Sequence, residues 1–256
     1  MGIGNQYKLG LVSVSFRKSS PREILRAMSE AGLVCVEWGS DIHAPCCDIE
    51  GLYEIAALQK EYGIECSSYG TYFRLGESPL CELENHIKAA KILGTDILRI
   101  WCGIKSGADM SEGEKDELLS SCRAAAKLAE TYGVTLCTEC HKKTFTENTE
   151  DAAWLMRAVG SPHFCTYWQP FQWQTAKENI ENARRLSEFT RHIHVFNWKG
   201  REKLPLAEAI DEWRGYLAEF SDMPSRALLL EFMPNGSIGE LSDEAAALRA
   251  IVGEKI

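Results

Sequence analysis

Leu93-Gly94-Thr95-Asp96-Ile97-Leu98-Arg99-Ile100-Trp101 joins the end of one element to the whole of the next. Apolar residues at helical spacing run up to Leu93. Gly94 can adopt the left-handed conformation that closes a helix, and Ile97–Trp101 is a short β-branched and aromatic run. The same transition recurs with a period of about thirty residues. Ala31-Gly32, Tyr62-Gly63, Tyr132-Gly133 and Val159-Gly160 precede Val34–Trp38, Ile64–Tyr69, Val134–Cys137 and Phe164–Trp168. With Leu9–Phe16 at the start and His192–Phe196 and Ala227–Phe232 later, eight strands are predicted. Ser20-Pro21-Arg22-Glu23 reads as a helix start, with Ser at the N-cap and Pro at N1. Further helical patterns cover Ile49–Tyr62, Pro79–Leu93, Glu114–Tyr132, Thr149–Val159, Thr175–Phe189, Leu206–Phe220 and Asp243–Val252. Regular alternation of strand and helix implies parallel strands with right-handed crossovers. Eight units predict an α/β chain folded as one (β/α)8 TIM barrel over residues 1–256. A doubly wound sheet fits less well, because no G-x-G-x-x-G follows the first strand.

Composition narrows the partners. The chain has 28 Lys+Arg against 37 Asp+Glu, a net charge of −9, and no basic block, which argues against nucleic acid as a partner. No apolar run is long enough for a membrane span, and the first residues lack the apolar core of a secretory signal. A cytoplasmic protein is therefore expected. Its ten cysteines then read as reduced, packing thiols, including Cys137-Thr-Glu-Cys140, which lies in a strand.

In such a barrel the chemistry gathers at the C-terminal ends of the strands. Those ends carry Glu37, Trp38 and His43; Tyr69 and Arg74; Arg99 and Trp101; Glu139 and His141; Trp168, Gln169 and Gln172; His194, Asn197 and Trp198; and Glu231. Trp38, Trp101, Trp168, Trp173 and Trp198 together suggest a wall on which a sugar stacks. Glu139 and Glu231 each end an apolar run, so each would be partly desolvated and need compensation. Either a basic side chain pairs with each, or a divalent metal bridges both, with nitrogen from His194 and a carbonyl oxygen from Gln169. Such ligands around an open position suit Mn²⁺, Mg²⁺, Co²⁺ or Zn²⁺.

These residues carry a resemblance. Val36-Glu-Trp-Gly-Ser-Asp-Ile-His-Ala-Pro45, Ser68-Tyr-Gly-Thr-Tyr-Phe-Arg74, Leu98-Arg-Ile-Trp101, Glu139-Cys-His141, His192-Ile-His-Val-Phe-Asn197 and Leu230-Glu-Phe-Met-Pro234 span most of the chain. In this order the chain resembles the sugar phosphate isomerase/epimerase superfamily with its xylose isomerase-like barrel, which includes the ketose 3-epimerases and endonuclease IV. The resemblance implies metal ligands at Glu139, Gln169, His194 and Glu231. Gln169 stands where relatives have Asp, Gln172 where ketose 3-epimerases have His, and Asn197 where many relatives have Asp. The further ligands of a trinuclear zinc nuclease are missing.

The function expected on this basis is metal-assisted isomerisation or epimerisation of a sugar or keto-sugar derivative. Glu139 and Glu231 would exchange the proton through an enediolate. Glu37, Trp38, His43, Tyr69, Arg74, Arg99, Trp101, His141, Trp168, Gln172, Asn197 and Trp198 would form the substrate-binding set, with either arginine able to meet a phosphate or carboxylate. Two alternatives share the residues: a lyase acting by β-elimination on an oxidised glycoside, and a catalytically silent carbohydrate-binding barrel. The resemblance also makes a homodimer plausible.

Overall fold

The helix starts are made by side chains that cap their own backbone. Ser20, Ser111 and Thr175 each accept from the backbone N–H three residues on, while Glu23, Glu114 and Glu178 reach back to the cap residue. At the other ends, Gly63, Gly94, Gly133 and Gly160 take left-handed backbone, as the periodic glycines predict. The structure is a computed structural model that describes residues 7–220 and 226–253.

Between these ends run the barrel strands β1 (Tyr7–Val12), β2 (Cys35–Gly39), β3 (Glu65–Leu75), β4 (Ile97–Cys102), β5 (Thr135–Thr138), β6 (Phe164–Trp168), β7 (Thr190–Val195) and β10 (Arg226–Leu230). All eight are parallel and close into one barrel in the order β1-β10-β7-β6-β5-β4-β3-β2. An antiparallel pair, β8 (Trp198–Lys199) and β9 (Glu202–Lys203), is inserted after β7. The surrounding helices are α1 (Pro21–Glu30), α2 (Ile49–Tyr62), α3 (Leu80–Leu93), α4 (Glu112–Tyr132), α5 (Thr149–Val159), α6 (Ala176–Leu186), α7 (Ile210–Leu217) and α8 (Leu241–Val252). The fold is thus the predicted (β/α)8 barrel. Among the described residues no helix is long and apolar enough to cross a membrane.

Two strand boundaries differ from the sequence reading in ways that shape the mouth of the barrel. The first strand stops at Val12, and Ser13–Phe16 forms a 3-10 turn. Ser13 Oγ there accepts from the Gly39 amide, and Ser15 Oγ from that of Phe232. The third strand runs on to Leu75, which pairs Arg74 with Trp101 in register.

Strand alternation divides the residues at the strand ends between barrel interior and helix layer. Trp38, Tyr69 and Trp168, expected in a sugar-stacking or substrate-binding wall, are fully buried outside the barrel lumen. Trp38 donates to Gln59 of α2, and the Tyr69 hydroxyl donates to Ala44 O. Trp168 packs edge-on to Trp213 and Tyr216 and tilted against Phe220, at 5.3–6.0 Å. All ten cysteines are free; Cys35, Cys66, Cys102, Cys122, Cys137 and Cys140 are buried. Close packing also sets one glycine: a Cβ on Gly10 would lie 2.2 Å from Cys35 O. Trp168→Ala should lower unfolding free energy in urea by about 3–5 kcal/mol, as for other buried aromatics. A loss of less than about 1 kcal/mol would contradict its place in the core.

Candidate functional site

The site is built around one buried cation. Arg99, in the middle of β4, is 4% exposed. Its Nε donates to Glu37 Oε1 at 2.7 Å, and its Nη1 pairs closely with Glu139 Oε2. Glu37 Oε2 accepts from Ser68 Oγ at 2.9 Å, and Glu139 Oε2 also accepts from Trp101 Nε1 at 2.6 Å. Gly70 leaves room for this network, since a Cβ there would fall 2.7 Å from Glu37 Oε1 and 2.8 Å from Arg99 Nη2.

His194 stands beside it, fully buried. Nδ1 faces three oxygens: Gln169 Oε1 at 3.2 Å, Glu231 Oε2 at 3.5 Å and Glu139 Oε1 at 3.8 Å. Nε2 makes no hydrogen bond among the described residues, and Glu37 Oε1 lies 3.7 Å from it. Gln169 is oriented by its own amide, which donates to Cys140 O at 3.0 Å. Backbone hydrogen bonds from Glu139 to Ile100 O and from Glu231 to Val195 O carry the strand ladders up to the two carboxylates. Unlike Glu139, Glu231 receives no hydrogen bond on its carboxylate among the described residues. The expectation of a basic partner for each glutamate therefore holds for Glu139 alone.

The electrostatics divide along the same line. Burial pushes the Glu37 and Glu139 carboxyls up, but the Arg99 guanidinium outweighs it and both sit below the usual carboxylate range. For Glu231 burial dominates; His194 and Arg99 pull it down and Glu139 pushes it further up, leaving it at about 7. His194 is lowered by burial yet ends above its ordinary value, because Glu231, Glu37 and Glu139 surround it.

These residues fit a divalent cation. Donor atoms of Glu139, His194 and Glu231 lie within 4.8 Å of one another, and the Gln169 oxygen stands beside the histidine nitrogen. Glu37 Oε1, 3.7 Å from Nε2, stands on the side from which a carboxylate orients a ligating imidazole, though the two are not hydrogen-bonded. An N/O set of this kind suits Mn²⁺, Mg²⁺, Co²⁺ or Zn²⁺.

The cluster floors a cavity of about 220 Å³ lined by Val14, Tyr72, Arg99, Trp101, Glu139, His141, Gln169, Gln172, Phe196, Trp198, Glu231 and Phe232. Of the expected substrate-binding residues, Trp101, His141, Gln172 and Trp198 are in its wall. Arg99 is there but is engaged by two glutamates, and Glu37 is wholly buried beneath it. His43 is spent on Ser13 Oγ and Ser19 O, and Asn197 donates to Pro205 O, so neither reaches the cavity. Trp173, 60% exposed, lies against Gly200 of the β8–β9 turn instead. Sequence reasoning missed Val14, Tyr72, Phe196 and Phe232. Phe232 follows Glu231 directly and takes φ +55°, a left-handed backbone costly for a bulky residue and fixed here by Ser15.

Arg99→Met would leave two buried carboxylates without their cation and should destabilise the protein by about 3–5 kcal/mol in urea unfolding. A change below 1 kcal/mol would contradict the network. Glu231 gives the opposite sign. Its folded pKa is raised, so above pH 7 the folded state holds an ionised carboxylate it disfavours. In chelator at pH 8, Glu231→Gln should therefore stabilise the protein, by up to about 3 kcal/mol, with the gain fading below pH 5.

Comparison with known proteins agrees with this architecture. The xylose isomerase-like TIM barrel family matches the chain over residues 25–251. A search of curated protein sequences finds no match. Among solved structures the chain is similar to the probable 3-DHS dehydratase AsbF of Bacillus anthracis (TM-score 0.77, 20% identity, 94% of this chain and 98% of that one). It is also similar to the D-psicose 3-epimerase of Clostridium cellulolyticum H10 (TM-score 0.67, 15% identity, 97% and 100%). A third is a xylose isomerase-like protein of Mycobacterium smegmatis in complex with magnesium (TM-score 0.67, 12% identity, 96% and 96%). At these identities the likeness shows the fold, and with the family match over most of its length the chain belongs to the xylose isomerase-like TIM barrel family.

Proposed function

We propose that the protein is a divalent-metal-dependent enzyme that removes a proton from the carbon next to the carbonyl of a keto sugar or related keto polyol. The observation that carries this reading is the convergence of Glu139, Gln169 and Glu231 on the floor of one small cavity at the C-terminal end of the barrel, with His194 buried directly against them. A cation held by these four would polarise the carbonyl. Glu231 is the proton acceptor, since its carboxylate is the one free of hydrogen bonds and ion pairs to Arg99 among the described residues. Glu139 is fixed by Arg99 and Trp101 and serves as ligand and anchor. Trp198 and the edge of Trp101, whose ring is stacked by His141, would supply apolar contact to the sugar, and His141 and Gln172 polar contacts to its hydroxyls.

Returning a proton to the neighbouring carbon, with another passed between the two oxygens, gives isomerisation; returning one to the opposite face of the same carbon gives epimerisation. A second reading, elimination of water from the same carbanion, is favoured by the asymmetry of the two glutamates. Epimerisation through two faces needs a second carboxyl able to give up a proton, and Glu139 is held ionised by Arg99. The dehydratase among the solved structures resembling this chain is consistent with that reading.

The test is solvent deuterium incorporation into candidate ketoses and keto acids, followed by NMR, with Mn²⁺ or Mg²⁺ supplied. Exchange should occur for at least one compound, vanish with chelator, and fall at least about 10³-fold in Glu231→Gln. Absence of bound metal together with absence of exchange for every compound that binds would overturn the proposal. Full exchange in Glu231→Gln would remove that residue from the role of base.

A further inference from the structure

We infer that the cavity takes a substrate bearing an anionic group, a carboxylate or phosphate, and that Arg74 is the side chain that receives it. This inference rests on reading the cavity as the proton-abstraction site. Of the two arginines at the strand ends, Arg99 is buried and already ion-paired to two carboxylates, Glu37 and Glu139. Arg74 is different. Its guanidinium carbon stands 4.1 Å from the centre of the Trp101 ring, and Nη1 donates to Gly103 O at 3.1 Å. Among the described residues no carboxylate lies within ion-pair distance of it. The chain has nine more acidic than basic residues (37 against 28), so partners for a half-buried arginine were plentiful. It is instead held in place by an aromatic face and one backbone oxygen, with its other N–H donors uncommitted. That is the condition in which a planar guanidinium can grip a carboxylate or phosphate by two parallel hydrogen bonds.

Arg74 is not itself among the residues lining the cavity but stands against Trp101, which is, so the anion would sit at the rim beside that indole. The same indole donates through Nε1 to Glu139, so Arg74 lies one indole away from the carboxylate floor. A second cation without an ion pair among the described residues, Lys203, is arranged alike. Lys203 Nζ is 4.9 Å from the Phe232 ring and 5.2 Å from the Trp198 ring, both in the cavity wall. Trp198 Nε1 is buried without an acceptor among the described residues. Neutral hydroxyls need no such pair of cations, whereas an acidic floor that holds a metal would repel an anionic substrate unless the rim offset it.

The test uses three compounds that share a keto-polyol end and differ only at C6: D-fructose, D-fructuronate and D-fructose 6-phosphate. Affinities would be measured by isothermal titration calorimetry on the metal-loaded protein. At least one anion should bind about tenfold or more tighter than D-fructose, with the advantage lost in R74Q and partly kept in R74K. K203Q should cost less than R74Q. Which anion gains identifies carboxylate or phosphate as the recognised group. Equal affinities, no binding of any compound, or an advantage that survives R74Q would overturn the inference. R74-dependent anion binding without any deuterium exchange would instead overturn the proposed reaction and leave the anion site standing.

Discussion

Everything at the mouth of this barrel depends on one desolvated guanidinium. Arg99 lies between Glu37 and Glu139, three ionised groups removed from water in the interior of a closed sheet. Such an arrangement survives only if each charge finds both a countercharge and hydrogen bonds. Here Ser68 and Trp101 supply the remaining donors, and Gly70 leaves the volume. The consequence is a division of labour between two glutamates that look equivalent in sequence. Glu139 is held ionised and oriented, while Glu231, at the end of β10 on the opposite side of the barrel from β4, makes no ion pair with Arg99.

Glu231 is thus a place where folding and chemistry pull apart. A buried carboxylate facing other carboxylates and a histidine destabilises the metal-free protein, and Phe232, next in the chain, adds strained backbone. Both costs are met by the barrel around them. A cation between Glu139, His194 and Glu231 would relieve the first, so metal binding and stability should be linked in this protein.

How much was legible in the sequence follows from what each signal reports. The glycine at each helix end and the short apolar run after it are local features, so the eight strands and the closed barrel could be read directly. The inward or outward direction of a residue could not. In a parallel barrel both faces of every strand are buried, and hydrophobicity does not alternate. Glu37 and Trp38, adjacent in sequence, therefore read as one site, whereas the first points into the barrel and the second under α2. The same ambiguity placed Tyr69 and Trp168 in the site. Arg99 was legible as a strand-end arginine but not as the partner of two glutamates, because that pairing depends on register across four strands. Phe232 reaches the cavity through a left-handed residue, and Lys203 comes against its wall from a two-residue strand, neither of which leaves a periodic signature.

The most direct test of the account is anomalous X-ray diffraction from crystals equilibrated with Mn²⁺. It predicts a single strong peak per chain, within bonding distance of His194 Nδ1, Gln169 Oε1 and one oxygen each of Glu139 and Glu231, with Arg99 still paired to Glu37. A peak elsewhere, or none at a concentration that saturates binding in solution, would contradict it.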